Sequence, residues 1–284
     1  MLAGPTVRRR RLGIDLRRLR EQRSLRLEEV ASQLGVAPST LSRIETGKGP
    51  TRTSYLVLML DLYGVDDTDR RRFFLDLARE GQRKGWWVRF DDLLPAGAGN
   101  YLGLEAEAAA LRTFQEQVVP GLLRSRDYGR AVMAARRPDL TSDQVERLLA
   151  VQMHRQEVLR GTDSIELRVV LDESVLLRSI GTPSIMRGQL ERLAEAGSEP
   201  TVTIQVLGLA ATERPVLVGS FGILSFSEPA DADVACAESI RGQVLLEQRS
   251  AEVQALRQTF DLLSMAAMSA PDSATHIRRI ARTF

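Results

Sequence analysis

The 284-residue chain is poor in the side chains that most chemistry uses: one cysteine (Cys236), two histidines (His154 and His276), two lysines (Lys48 and Lys84), and 5% aromatics. A single thiol cannot build a disulfide framework, and so few Cys and His residues cannot build a zinc site or a histidine relay. Nor is there a run of about 18 uncharged apolar residues of the kind that crosses a bilayer, and the basic N-terminal residues are followed by no apolar signal core. A cytoplasmic globular protein is the expectation, with no membrane association.

What the chain has in excess is arginine, and it is unevenly placed. The formal net charge is only +2. Residues 1–85 hold 18 basic against 11 acidic residues, net +7, whereas the remainder holds 21 against 26, net −5. The surplus lies in the first 60 residues, in Arg8 to Arg11 and then Arg17, Arg18, Arg20, Arg23 and Arg26. Biased codon usage explains many arginines but not their collection at one end. A basic small domain joined to an acidic larger one suits a protein that meets a polyanion with one end only.

Apolar spacing predicts five short helices in the first domain, residues 1–85. Leu12, Leu16 and Leu19 mark the first; Leu27, Val30, Ala31 and Leu34 the second; Leu41 and Ile44 the third, opened by Pro38 at the position where a missing N–H costs nothing. The fourth and fifth fall near 53–63 and 68–83. Ala31, Gly35, Leu41 and Ile44 have helix-turn-helix spacing. The small alanine admits a close helix approach, the glycine takes a positive φ, and the two apolar residues plug the inner face. Pro38, Ser39, Ser42 and Arg43 then face outward, with Thr40 at the flank. The run Arg8 to Arg11 reads equally as a loose tail or as an arm that reaches a groove.

The stretch 85–99 breaks the periodicity and marks the domain junction. Beyond it, residues 86–284 read as α+β: helices near 103–117, 125–136, 141–160 and 185–196, strands near 164–171, 202–207, 221–226 and 234–239, and closing helices near 250–267 and 271–282. The expected fold class is thus multidomain, an all-α helix-turn-helix domain followed by an α+β domain. Gly97-Ala-Gly99 lacks the third glycine and the strand-turn-helix context of a dinucleotide site, and Gly219-Ser-Phe-Gly222 is one residue short of a nucleophile elbow. No catalytic residue, metal ligand or cofactor is assigned. Cys236 reads as a small core residue in a strand, and Trp86, Trp87 and Phe90 as an interdomain wedge or a pocket wall.

Two resemblances sharpen these expectations. Leu16-Arg-Arg-Leu-Arg-Glu-Gln-Arg, Leu27-Glu-Glu-Val-Ala-Ser-Gln-Leu-Gly-Val and Pro38-Ser-Thr-Leu-Ser-Arg-Ile-Glu-Thr-Gly-Lys resemble the xenobiotic-response-element family of helix-turn-helix proteins, which includes phage Cro and repressors. The resemblance implies base contacts by Pro38, Ser39, Ser42 and Arg43 and phosphate contacts by Thr40, Lys48 and Arg52, with double-stranded DNA as partner. The chain departs from it at Arg26, Leu27 and Ala37, which leaves two helices without a side-chain N-cap. Val119-Pro-Gly-Leu-Leu, Asp127-Tyr128, Tyr101-Leu-Gly-Leu-Glu and Leu171-Asp-Glu-Ser-Val-Leu resemble the C-terminal domain of actinobacterial WhiJ-like, antitoxin-like regulators, with Gln152 standing where arginine is expected and Arg124 where glutamine is common. This second resemblance implies a homodimeric, repressor-like transcription factor at the nucleoid, controlled through that domain by a small cognate protein or a small-molecule ligand. A ligand sensor, an antitoxin-like binder of a small protein and an enzyme remain the alternatives.

Overall fold

The computed structural model describes residues 5–49, 51–82, 85–161, 164–211, 219–228, 231–238, 244–247 and 249–284. They fall into two compact units, Met1–Val88 and Arg89–Phe284. The first unit holds five helices: α1 (Pro5–Gln22), α2 (Leu27–Gln33), α3 (Pro38–Glu45), α4 (Thr53–Leu62) and α5 (Thr68–Gly81). Their inward residues, among them Leu12, Leu16, Val30, Ala31, Leu41, Ile44, Leu56, Met59 and Tyr63, form one buried cluster.

Two sequence expectations fail at α1. The helix begins near Pro5 instead of Leu12, so Arg8 to Arg11 is neither a tail nor an arm. Each of three arginines has an attachment on α5: Arg8 pairs with Glu80, the Arg9 stem lies against the Cα of Gly81, and the Arg11 guanidinium lies 5.4 Å from the Phe73 ring centroid. Long arginine stems cover apolar surface while their heads find partners, and a charge run alone does not reveal this.

The second unit is built on a six-stranded sheet in the order β3-β2-β1-β4-β5-β6 among the described residues. The strands are β1 (Ala110–Gln115), β2 (Glu166–Asp172), β3 (Val202–Leu207), β4 (Phe221–Ser225), β5 (Val234–Glu238) and β6 (Val244–Glu247). β3, β2 and β1 run parallel; β1 with β4, β4 with β5 and β5 with β6 are antiparallel. The helices are α6 (Ala98–Glu105), α7 (Arg126–Arg136), α8 (Ser142–Arg155), the single turn α9 (Ser174–Leu177), α10 (Pro183–Ala196), α11 (Ser250–Ala266) and α12 (Ala270–Ala281). The α+β expectation holds.

The helix expected over 103–117 does not. Alanines at 106 and 108–110 favour a helix locally, yet Ala110–Gln115 is the central strand β1. Its pairing with a strand on each side outweighs the local preference. Alternation along β1 sends Phe114 to one face, where it joins Val170, Ile223, Ala235, Val253 and Phe260 beneath α11. Leu111, Thr113 and Gln115 belong to the other face.

Candidate nucleic-acid interface and a cavity in the second unit

The geometry of α3 follows from what anchors it. Val30, Ala31 and Leu41 are fully buried, and Gly35 sits in the turn between α2 and α3 at φ +67°. Val36 N–H donates to the Ala31 carbonyl at 3.0 Å, closing that turn. Neither Arg26 nor Ala37 gives a side-chain cap. The losses are offset locally. Glu29 accepts from the Arg26 backbone N–H at 2.8 Å, and Pro38 at the start of α3 has no N–H to satisfy.

Two further anchors are not marked by any sequence motif. The Cα of Gly13 in α1 lies so close to α3 that an added Cβ would be 2.5 Å from the Ile44 carbonyl oxygen, a backbone atom that cannot yield. Next to it, Arg20 grips the buried Glu45 with both ends of its guanidinium fork, at 2.7 and 2.9 Å, and donates to the Leu25 carbonyl at 2.8 Å. Glu45 belongs to the inner face of α3, so this pair ties the recognition helix to α1.

With its inner face fixed, α3 presents Pro38, Ser39, Thr40, Ser42 and Arg43 exposed. The helix then stops on Gly47, at φ +67°, with Gly47 N–H donating to the Ile44 carbonyl and Lys48 N–H to the Arg43 carbonyl. This cap places Lys48 one turn from Arg43. Arg52, just before α4, is also exposed and lies 5.8 Å from the Tyr55 ring centroid. Arg43, Lys48 and Arg52 are not ion-paired among the described residues. All seven residues expected at a DNA interface are therefore exposed on α3 or just after it. Short polar side chains beside one guanidinium, on a helix held by its opposite face, form a surface suited to the major groove.

In the second unit, the sheet face opposite α11 borders a cavity of about 540 Å³. Thr113, Gly222 and Cys236 are register neighbours on its floor. Gly222 has no side chain because one would meet Cys236 Sγ at 2.9 Å. Cys236 thus lines a cavity, half-buried, where the sequence suggested a core residue. Trp86, Trp87 and Phe90 are not among its lining residues. The walls come from α6, the segment 115–124, α7 and α8. Arg155 holds Glu105 by two hydrogen bonds of 2.7 and 2.8 Å, and the Tyr101 hydroxyl donates to the same carboxylate at 2.6 Å. Burial pushes the Tyr101 phenol well up, so it remains protonated.

The histidines are engaged elsewhere: His154 with Glu157 at 3.1 Å, and His276 with Glu173 at 2.7 Å. Among the described residues no group of three His, Cys, Asp or Glu side chains is placed to hold a metal ion, and no helix is long and apolar enough to cross a membrane.

Comparison with known families agrees with this division. Residues 11–73 match the model of a helix-turn-helix domain, and residues 98–279 match that of a domain of unknown function, DUF5753. No curated protein and no solved structure matches the chain. The first match identifies a DNA-binding regulator by its helix-turn-helix, and because the second spans more than half of the 284 residues, the chain belongs to the DUF5753 family.

Proposed function

We propose that the protein is a sequence-specific, repressor-like transcriptional regulator of the xenobiotic-response-element kind, acting as a homodimer on double-stranded DNA and governed through its second unit. The observation that carries this reading is the outward set Pro38, Ser39, Ser42 and Arg43 on a helix locked from behind, flanked by Thr40, Lys48 and Arg52. Arg43 reads guanine through O6 and N7, and Lys48, Arg52 and Thr40 hold phosphates. Homodimerisation follows from information: one short helix reads too few base pairs to find a site in a genome, and two half-sites one helical turn apart multiply the selectivity. The reading gives the chain no catalytic step and no cofactor. It places the protein in the cytoplasm, at the nucleoid.

The resemblance to WhiJ-like, antitoxin-like regulators supports control by a small cognate protein. The cavity supports control by a small-molecule ligand, and it is the feature that favours this second input. The test is capture of genomic fragments by the purified protein, followed by sequencing and footprinting. A two-fold symmetric sequence with half-sites about 10 base pairs apart is expected. Recovery of fragments with no shared sequence would refute the reading.

A further inference from the structure

Helix α11 packs on the sheet through the buried Val253, Phe260 and Leu263 and turns its opposite side outward. That outward side carries the two most exposed large apolar side chains among the described residues, Met265 at 82% and Leu262 at 55%. They belong to a regular row. Ala251, Ala255, Gln258, Leu262 and Met265 follow one another at alternating spacings of 4 and 3, and all five are exposed. This is the spacing of a coiled-coil seam, which repeats about every 3.5 residues. In a chain that is 27% charged, the row holds no charge. Beside it, Arg257 pairs with Asp233 and Glu252 with Arg249, while Asp261 stands exposed at the edge.

The row is also graded. Alanines fill its N-terminal half, Leu262 and Met265 its C-terminal half, and Gln258 stands between them. A graded row fits a copy of itself that runs the opposite way. With a two-fold axis at Gln258, Met265 of one copy meets Ala251 of the other, and Leu262 meets Ala255, large against small at every apolar layer. A parallel pair would stack alanine on alanine and leave a gap. The antiparallel pair also sets the helix dipoles in opposite directions. At the axis, each Gln258 amide sets donors beside an acceptor, so the two amides answer each other at two points. One polar layer in an apolar seam fixes register and oligomeric state. Asp261 falls opposite Gln254 of the other copy, so no like charges face each other.

We propose that the outer face of α11 is the homodimer interface, an antiparallel pair of α11 helices from two copies of this chain with Gln258 on the two-fold axis. The assignment rests on the reading that the protein acts as a homodimer.

Sedimentation velocity of the full chain without DNA is expected to show a reversible monomer–dimer equilibrium between about 1 and 100 μM. Leu262→Glu, at an exposed position, should leave folding unchanged by circular dichroism and weaken the dimer about ten-fold or more. Gln258→Glu should weaken it comparably at neutral pH, because each carboxylate then faces its own copy, and the dimer should recover as pH falls through the carboxylate range. In a Cys236→Ala background, Gln258→Cys should form an intermolecular disulfide on mild oxidation and Ala251→Cys should not. Seven residues from the axis, the two copies of position 251 lie about 21 Å apart along the helices, beyond the roughly 7 Å that a disulfide spans. A chain that stays monomeric to about 100 μM, a dimer undisturbed by Leu262→Glu, or a link at 251 in preference to 258 would overturn the proposal. The homodimer reading is tested separately, by the number of copies on the captured operator. Two copies there, with an undisturbed dimer in Leu262→Glu, remove only the α11 seam, whereas one copy per operator refutes the homodimer itself.

Discussion

The cations around α3 and several of those in the second unit carry the same charge in different circumstances. In the second unit Arg126 and Arg130 share Glu146, Arg137 holds Asp139, Arg147 holds Asp92 and Arg155 holds Glu105. Arg43, Lys48 and Arg52 hold no carboxylate among the described residues. Even the densest basic run, Arg8 to Arg11, is attached to α5. A count of arginines therefore locates the basic domain but not the surface that meets DNA. Pairing narrows the choice, because a cation already facing a carboxylate releases little when it meets a phosphate. Exposed Arg178, Arg187 and Arg278 of the second unit hold no carboxylate among the described residues either, so it is the helix-turn-helix that marks the surface.

The comparison can be broken where it depends on buried structure. Arg20→Ala should have the largest effect. It leaves the Glu45 carboxylate buried and unpaired, for a loss of about 3–5 kcal/mol of stability read by chemical denaturation. Gly35→Ala should cost less, about 1–2 kcal/mol, because nothing lies within 4 Å of the new methyl group and only the positive φ is penalised. A loss as large as that of Arg20→Ala would show that the turn is held by more than its backbone conformation.

Two smaller effects sharpen it. Lys48→Ala should weaken binding on all sequences alike and reduce the slope of log affinity against log salt by about 1. A sequence-dependent effect would move Lys48 from phosphate to base contact. Asp92→Asn should be the mildest. Hydrogen bonds from Arg147 hold the Asp92 carboxyl below the usual carboxylate range. Its contribution is then present above the unfolded pKa and lost as pH falls through the folded one. The variant should match the wild type at low pH and fall slightly below it near neutrality, in melting curves taken across that range.

Legibility in the sequence followed the locality of the physics. Helices α2 to α5 and the turn at Gly35 were readable because their signals, apolar spacing and a glycine, lie within a few residues. β2 to β5 were readable from alternation. β1 was not, since the alanines before it favour a helix and only its partners β2 and β4 make it a strand. The attachments of α1 were equally hidden: Arg20 and Glu45 are 25 positions apart, and Gly13 gives no sign that α3 will cross it. The seven residues proposed for the interface could be named from the helix-turn-helix spacing and its resemblance, and the fold leaves all seven exposed. The cavity could not, because its walls come from segments between Leu93 and Ala237 that no motif links. Gln152 did stand out as a departure from the family pattern, but only the fold shows that its amide is buried without a partner.

The most direct test of the central claim, that α3 reads DNA through Arg43, is a competition titration of a captured operator against random duplex for wild type, Arg43→Ala and the second-unit control Arg126→Ala. The account predicts that Arg43→Ala loses about 1–3 kcal/mol of discrimination while Arg126→Ala keeps all of it. Undiminished discrimination in Arg43→Ala, or an equal loss in Arg126→Ala, would contradict it.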